Sequence, residues 1–199
     1  MIYAHERSAN SLREKYMDTK KIILVDQDGV LANYQAHHLA LWRAEHPEKF
    51  WIPLEEVSDH HMDNLYPDEF KALLRDIPHR KDFFRDLPVI DGGREALEEM
   101  LAHGYDVRIC TSPLVAHQFC VPEKFAWVEE HLGSKWANRI IMTRDKTLVH
   151  GDVLIDDKPI IVGVRTPTWK HILYDQPYNQ HCADQERLTW KNYKEVLAP

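Results

Sequence analysis

Ile22-Ile23-Leu24-Val25-Asp26-Gln27-Asp28-Gly29-Val30 decides the reading of this chain. The apolar run, flanked by Lys20-Lys21 and Gly29, has the length and composition of a buried strand. Residues two apart in an extended backbone point the same way, so Asp26 and Asp28 can address one pocket, and Gly29 permits a turn that brings backbone close to a ligand. Open α/β sheets bind ligands at the carboxyl ends of their strands. The plainer alternative is a solvated Asp-Gly turn, a common loop signal.

Three later segments repeat the pattern of an apolar run followed by chemistry. Val107-Arg108-Ile109-Cys110 leads into Thr111-Ser112-Pro113, which offers hydroxyls and free amides. Ile140-Ile141-Met142 leads into Thr143-Arg144-Asp145-Lys146, which adds two cations. Val153-Leu154-Ile155 ends in Asp156-Asp157-Lys158-Pro159, a second carboxylate pair. Taken singly, each has a plain alternative: Lys146 as a surface lysine, Thr111 as a turn or helix cap, and Asp156 and Asp157 as solvated loop acids.

In this order the segments resemble the four motifs of the haloacid dehalogenase superfamily of phosphohydrolases. The match extends to Cys120, Glu123-Lys124-Phe125-Ala126-Trp127-Val128, Thr143-Arg144-Asp145-Lys146-Thr147, Leu154-Ile155-Asp156-Asp157 and Asn179-Gln180-His181. With these it resembles the 5'(3')-deoxyribonucleotidase family over roughly Lys21 to His181.

That resemblance implies a phosphatase acting on (deoxy)nucleoside 5'-monophosphates. It implies Mg²⁺ held by Asp26, the Asp28 backbone carbonyl, Asp157 and, through water, Asp156; hard oxygen ligands suit that ion. Asp26 is the implied nucleophile, forming an aspartyl-phosphate, and Asp28 the general acid and base. Thr111 and Lys146 would bind phosphoryl oxygens, with Ser112, Lys124 and Arg144 nearby as nucleotide contacts. The rival readings are a phosphatase of the same fold for another small phosphoester, such as a sugar phosphate, and a non-catalytic nucleotide- or metal-binding module.

The expected architecture is α/β: a doubly wound, Rossmann-like parallel sheet with a small helical cap inserted after the first strand. Residues 20–32 and 89–199 form the expected core, 33–88 the cap, and 1–19 a tail or helix. Tyr34, His37, His38, Leu41 and Trp42 fall at helical spacing, as do Phe70, Leu73, Leu74 and Ile77 after Pro67. Further helices are expected over Asp91–His103, over Glu123–Leu132 with Phe125 and Val128 buried, and over Arg187–Leu197 with Trp190, Tyr193, Val196 and Leu197 inward. His171-Ile172-Leu173-Tyr174 reads as a strand.

By the resemblance, Tyr34 matches a cap aromatic that contacts the base. His60 and His61 stand where a Phe-Trp pair is expected, and the region of Pro78 and His79 lacks another expected tryptophan, so the base preference of better-known relatives does not transfer.

Composition agrees. The 199 residues are 44% hydrophobic, enough for one core and a subsidiary cap. A formal charge of -7 argues against duplex nucleic acid as substrate and leaves mononucleotides open. No apolar run approaches the ~20 residues needed to span a bilayer. Three cysteines without zinc-ligand pairing suit a reducing cytoplasm, and Cys110 reads as a core residue. The adjacent pairs His37-His38 and His60-His61 make no zinc pattern. A homodimer is implied by the family resemblance alone.

Overall fold

Ile22–Val25 forms the central strand, β1, because its apolar side chains alternate between two buried faces. The computed structural model describes residues 20–198. β1 pairs in parallel with β2 (Asp106–Thr111), Ile23 opposite Val107, and with β4 (Val153–Asp156), Ile23 opposite Val153. β3 (Ile140–Met142) lies outside β2, while β5 (Lys170–Tyr174) and β6 (Arg187–Leu188) extend the sheet beyond β4. The order β3-β2-β1-β4-β5-β6 is the doubly wound arrangement, and its direction of winding reverses between β1 and β4.

Ile23 and Val25 enter a large cluster with Ala96, Leu97, Trp127, Val128 and Trp136, whereas Leu24 joins a smaller one with Cys110, Leu154 and Trp169. The first face is covered by α3 (Gly93–Ala102), α4 (Cys120–Leu132), α5 (Ser134–Ala137) and α6 (Tyr193–Leu197), and the second is closed partly by Val149 and Ile161.

Between β1 and β2 the chain leaves at Asn33, whose N–H donates to the Pro88 carbonyl at 2.7 Å. There it forms α1 (Tyr34–Glu45), capped by the Asn33 side chain, and α2 (Asp68–Asp76), with single 3₁₀ turns at Leu54–Glu56, Met62–Leu65 and Ile77–His79. Trp42 and Leu74 are fully buried, and they join the same cluster as the sheet.

Three expectations change. Arg187–Leu197 is not one helix: the sheet edge captures Arg187–Leu188 as β6, with Asp175 N–H donating to the Leu188 carbonyl at 2.8 Å, and only Tyr193–Leu197 is helical. Trp190, Tyr193 and Leu197 are still buried, while Val196 is half-buried. In α4, Phe125 is 41% exposed, and Lys124, Trp127 and Val128 point inward instead. Leu73 on α2 is likewise exposed. The expectation of a tail or helix over residues 1–19 lies outside the described residues.

Candidate active site

The carboxyl ends of β1, β2 and β4 meet at the winding reversal, and there, with the turn after β3 and with α4, six charged side chains come together: Asp26, Asp28, Lys124, Lys146, Asp156 and Asp157. Lys146, from the turn after β3, is buried with its Nζ 2.8 Å from Asp26 Oδ1 and 2.5 Å from Asp156 Oδ2. Burial alone would lower its affinity for a proton, but the two carboxylates outweigh that and hold the ammonium firmly charged. Asp26 Oδ1 also accepts from the Gln27 N–H at 2.8 Å. With that oxygen doubly held, Oδ2 is the one left for chemistry.

Asp28 follows the same logic on the other side. Its Oδ2 accepts from Lys124 Nζ at 2.6 Å, and the same ammonium donates to Thr111 Oγ1 at 2.9 Å. Asp28 Oδ1 is buried and has no partner. Burial raises its carboxyl above the usual carboxylate range despite the opposing pull of Lys124, which favours a form able to donate a proton.

Asp157 closes the group. Its Oδ2 accepts from the Tyr178 hydroxyl at 2.6 Å, and His60 Nδ1 from the insertion lies 3.4 Å from the same oxygen. Burial would raise Asp157, but His60 and Tyr178 bring it below its ordinary value. Asn179 Nδ2 donates to the Asp157 and Tyr174 carbonyls and fixes the loop. Gly29 makes this approach feasible: its φ is +76°, and a Cβ there would sit 2.5 Å from Asp157 Oδ2.

Oxygens of Asp26, Asp156 and Asp157, all buried, lie within 4.8 Å of one another. Asp157 Oδ1 is buried and unpartnered, whereas both Asp156 oxygens are engaged, by Lys146 and by the Lys158 N–H at 3.0 Å. This donor set fits a hard divalent cation ligated directly by Asp26 and Asp157, with Asp156 acting at one remove.

The carboxylates open into a cavity of about 420 Å³, lined also by Tyr34, Gln35, His38, His60, His61, Ser112 and Phe84. Arg144 is exposed and outside that lining. Burial pushes the Cys110 thiol up to about 12, consistent with a core residue.

Residues 20–198 match the family described as 5' nucleotidase, deoxy (pyrimidine), cytosolic type C protein. The chain belongs to that family. The human cytosolic-type 5'(3')-deoxyribonucleotidase is 40% identical over 88% of this chain and 92% of its own length. A Bordetella pertussis protein that carries the 5'(3')-deoxyribonucleotidase name provisionally is 48% identical over 89% of this chain and 95% of its own. By this kinship the chain is a phosphoric monoester hydrolase. Among solved structures, a haloacid dehalogenase family hydrolase from Deinococcus radiodurans superposes with a TM-score of 0.53 at 14% identity, covering 90% of this chain and 98% of its own, so the fold is shared. A haloacid dehalogenase-like hydrolase from Streptococcus pneumoniae gives 0.55 at 12%, covering 92% and 99%.

Within this deoxyribonucleotidase frame, Asp26, Asp28, Thr111, Lys124, Lys146, Asp156 and Asp157 converge. Tyr34, His60, His61 and Ser112 line the cavity they open into. Sequence reasoning missed Tyr178, Gln35 and His38 as wall residues. Tyr178 adjoins the quoted Asn179-Gln180-His181 segment, a signal that was available. For Gln35 the only hint was its place beside Tyr34.

Proposed function

We propose that the chain hydrolyses (deoxy)nucleoside 5'-monophosphates to nucleoside and phosphate, with Mg²⁺ as its metal and a phosphorylated Asp26 as intermediate. One observation supports this most: Asp26 and Asp28, two residues apart just after β1, have different partners, Asp26 paired with Lys146 at 2.8 Å and Asp28 with Lys124 at 2.6 Å while burial raises the Asp28 carboxyl. Two neighbouring carboxyl groups in different surroundings suit a nucleophile and an acid.

In this reading Asp26 Oδ2 forms a bond to phosphorus as the bond from phosphorus to the sugar oxygen breaks. Asp28, through its unpartnered Oδ1, gives its proton to that leaving oxygen. The Asp28 carboxylate then takes a proton from water, whose oxygen attacks phosphorus and releases phosphate, restoring Asp26. Lys146, Thr111, Ser112 and Lys124 hold phosphoryl oxygens, while Arg144, exposed and outside the cavity lining, is not among them. Mg²⁺ on Asp26, Asp157 and the Asp28 carbonyl, with Asp156 through water, would offset the charge of the phosphate dianion. Tyr34, His60 and His61 face the base and sugar. The free thiols of Cys110, Cys120 and Cys182 support a reducing cytoplasm as the compartment.

The test is phosphate release with Mg²⁺ from ribo- and deoxyribonucleoside 5'- and 3'-monophosphates beside sugar phosphates. Metal-dependent turnover of the 5'-nucleotides is expected. A clear preference for a sugar phosphate would move the substrate class, and no turnover at all would leave a binding module.

A further inference from the structure

The start of α4 grips the returning end of the insertion by its backbone. Glu123, 6% exposed, accepts from the Asp82 N–H at 2.6 Å through Oε1 and from the Phe84 N–H at 3.1 Å through Oε2. His117, just before the helix, takes the Phe119 N–H on Nδ1 at 3.2 Å, so its Nε2 carries the hydrogen and donates to the Arg80 carbonyl at 3.0 Å. One turn after Glu123, Trp127 Nε1 donates to the Leu87 carbonyl at 2.7 Å. Among the described residues, Asp82 is the one non-glycine with positive φ, +67°, a conformation that surrounding structure must hold.

The next residue of the helix works toward the sheet. Lys124 Nζ donates to Asp28 Oδ2 and Thr111 Oγ1, and the Lys124 carbonyl accepts from Gln27 Nε2 at 3.2 Å. The same ammonium lies 5.2 Å from the centre of the Phe84 ring, within reach of a cation–π attraction. Phe84 and Lys124 both line the cavity. Two consecutive residues thus link the insertion, through Glu123, to the reacting centre, through Lys124.

Resting on the reading of Asp28 as general acid, we propose that Glu123 is a positioning residue for the reaction: by holding residues 82–84 in place it keeps the Phe84 ring against the Lys124 ammonium, and so fixes that ammonium between Asp28 and Thr111. Without this grip Asp82 relaxes from its left-handed conformation and Phe84 moves off Lys124. The ammonium then has room to turn away from Asp28, which loses the partner that orients it toward the leaving oxygen. Small misplacements of a reacting group cost rate steeply. A plain anchor would weaken the fold and slow every substrate alike, whereas a positioning residue shifts the balance between substrates that need a proton and those that do not.

The experiment measures kcat and KM for a nucleoside 5'-monophosphate and for an aryl phosphate, whose leaving oxygen needs no proton, in the native protein, Glu123→Gln, Asp82→Gly, Asp82→Val and the double variant of Glu123→Gln with Asp82→Gly. Glu123→Gln is expected to lose ~10–100-fold in kcat on the nucleotide and at least ~5-fold less on the aryl phosphate. Asp82→Gly takes the left-handed turn without strain, so it should keep the native kcat and restore part of the loss in the double variant. Asp82→Val resists that turn and should reproduce the loss with Glu123 intact. An equal loss on the two substrates, no restoration in the double variant, or a native kcat in Asp82→Val would each overturn the role. Should Glu123→Gln not fold, the contrast between Asp82→Gly and Asp82→Val decides by the same criterion. Asp28→Asn on the same substrates separates the two readings: an equal loss there removes the general acid and this inference together, whereas a selective loss there with none in Glu123→Gln removes this inference alone.

Discussion

The two ends of the cavity are built by different means. At the sheet end, carboxylates and lysines from the ends of β1, β2 and β4, from the turn after β3 and from α4 neutralise one another over distances of 2.5–2.9 Å. At the insertion end, Gln35 and His38 spend their donors on nearby cap backbone, and rings such as Tyr34 and Phe83, 5.2 Å apart, supply the packing. Chemistry that needs fixed charge is tied to the most rigid part of the fold. The insertion touches those charges at His60, whose Nδ1 lies 3.4 Å from Asp157 Oδ2.

The sharpest way to break this contrast is Asp26→Asn, which should reduce kcat by ~10⁴-fold or more while the fold survives, because it removes the attacking group and little packing. Retention of activity in that variant, with circular dichroism unchanged, would move the nucleophile elsewhere. Asp28→Asn should lose ~10²–10⁴-fold in kcat, and less on an aryl phosphate, whose leaving oxygen needs no proton. An equal loss on both substrates would deny Asp28 the role of acid. On the insertion side, Trp42→Ala should cost ~3–5 kcal/mol, since this fully buried ring also donates to the Phe50 carbonyl at 3.0 Å. Because Trp42 shares a cluster with the sheet, denaturant should show a single transition shifted as a whole. A separate early transition moved alone would show that the insertion unfolds by itself.

The smallest effect is a pH dependence. The folded chain holds His38 neutral down to about 4, against an ordinary 6.5, while the unfolded chain takes up the proton at the higher pH. Stability contributed above pH 6.5 should therefore fall away as pH drops from about 6.5 to about 4, by at most ~3 kcal/mol. In His38→Leu, urea titrations across that window should show a shallower slope; an unchanged slope would place the effect elsewhere.

The main strands of the core were legible because each is a short apolar run ending in polar or acidic residues, and their parallel pairing followed from the alternation with helices. Arg187–Leu197 misled because a helical apolar spacing there competes with a free sheet edge, and the edge wins for its first two residues. Asp26, Asp28, Lys146 and Asp157 could be found by position after a strand. Lys124 could not be told from a solvated lysine, because its partner Asp28 is 96 residues away and its burial is a tertiary outcome. Gln35 and His38 escaped for a related reason: their place in the cavity wall is likewise a tertiary outcome.

The position of β1 at the centre of a wholly parallel sheet also bears on synthesis. Ile22 N–H bonds to Asp152 across 130 residues, and Asp26 N–H donates to the Ile155 carbonyl. A ribosome thus exposes Asp26 and Asp28 long before β4 exists to flank them, and this acidic, strand-prone segment must wait without its neighbours while the helical insertion emerges next. The reacting centre is therefore among the last parts of the nascent chain to acquire its shape, and a truncated product ending before Asp156 would have the nucleophile and Lys146 without Asp156, Asp157, β5 and β6.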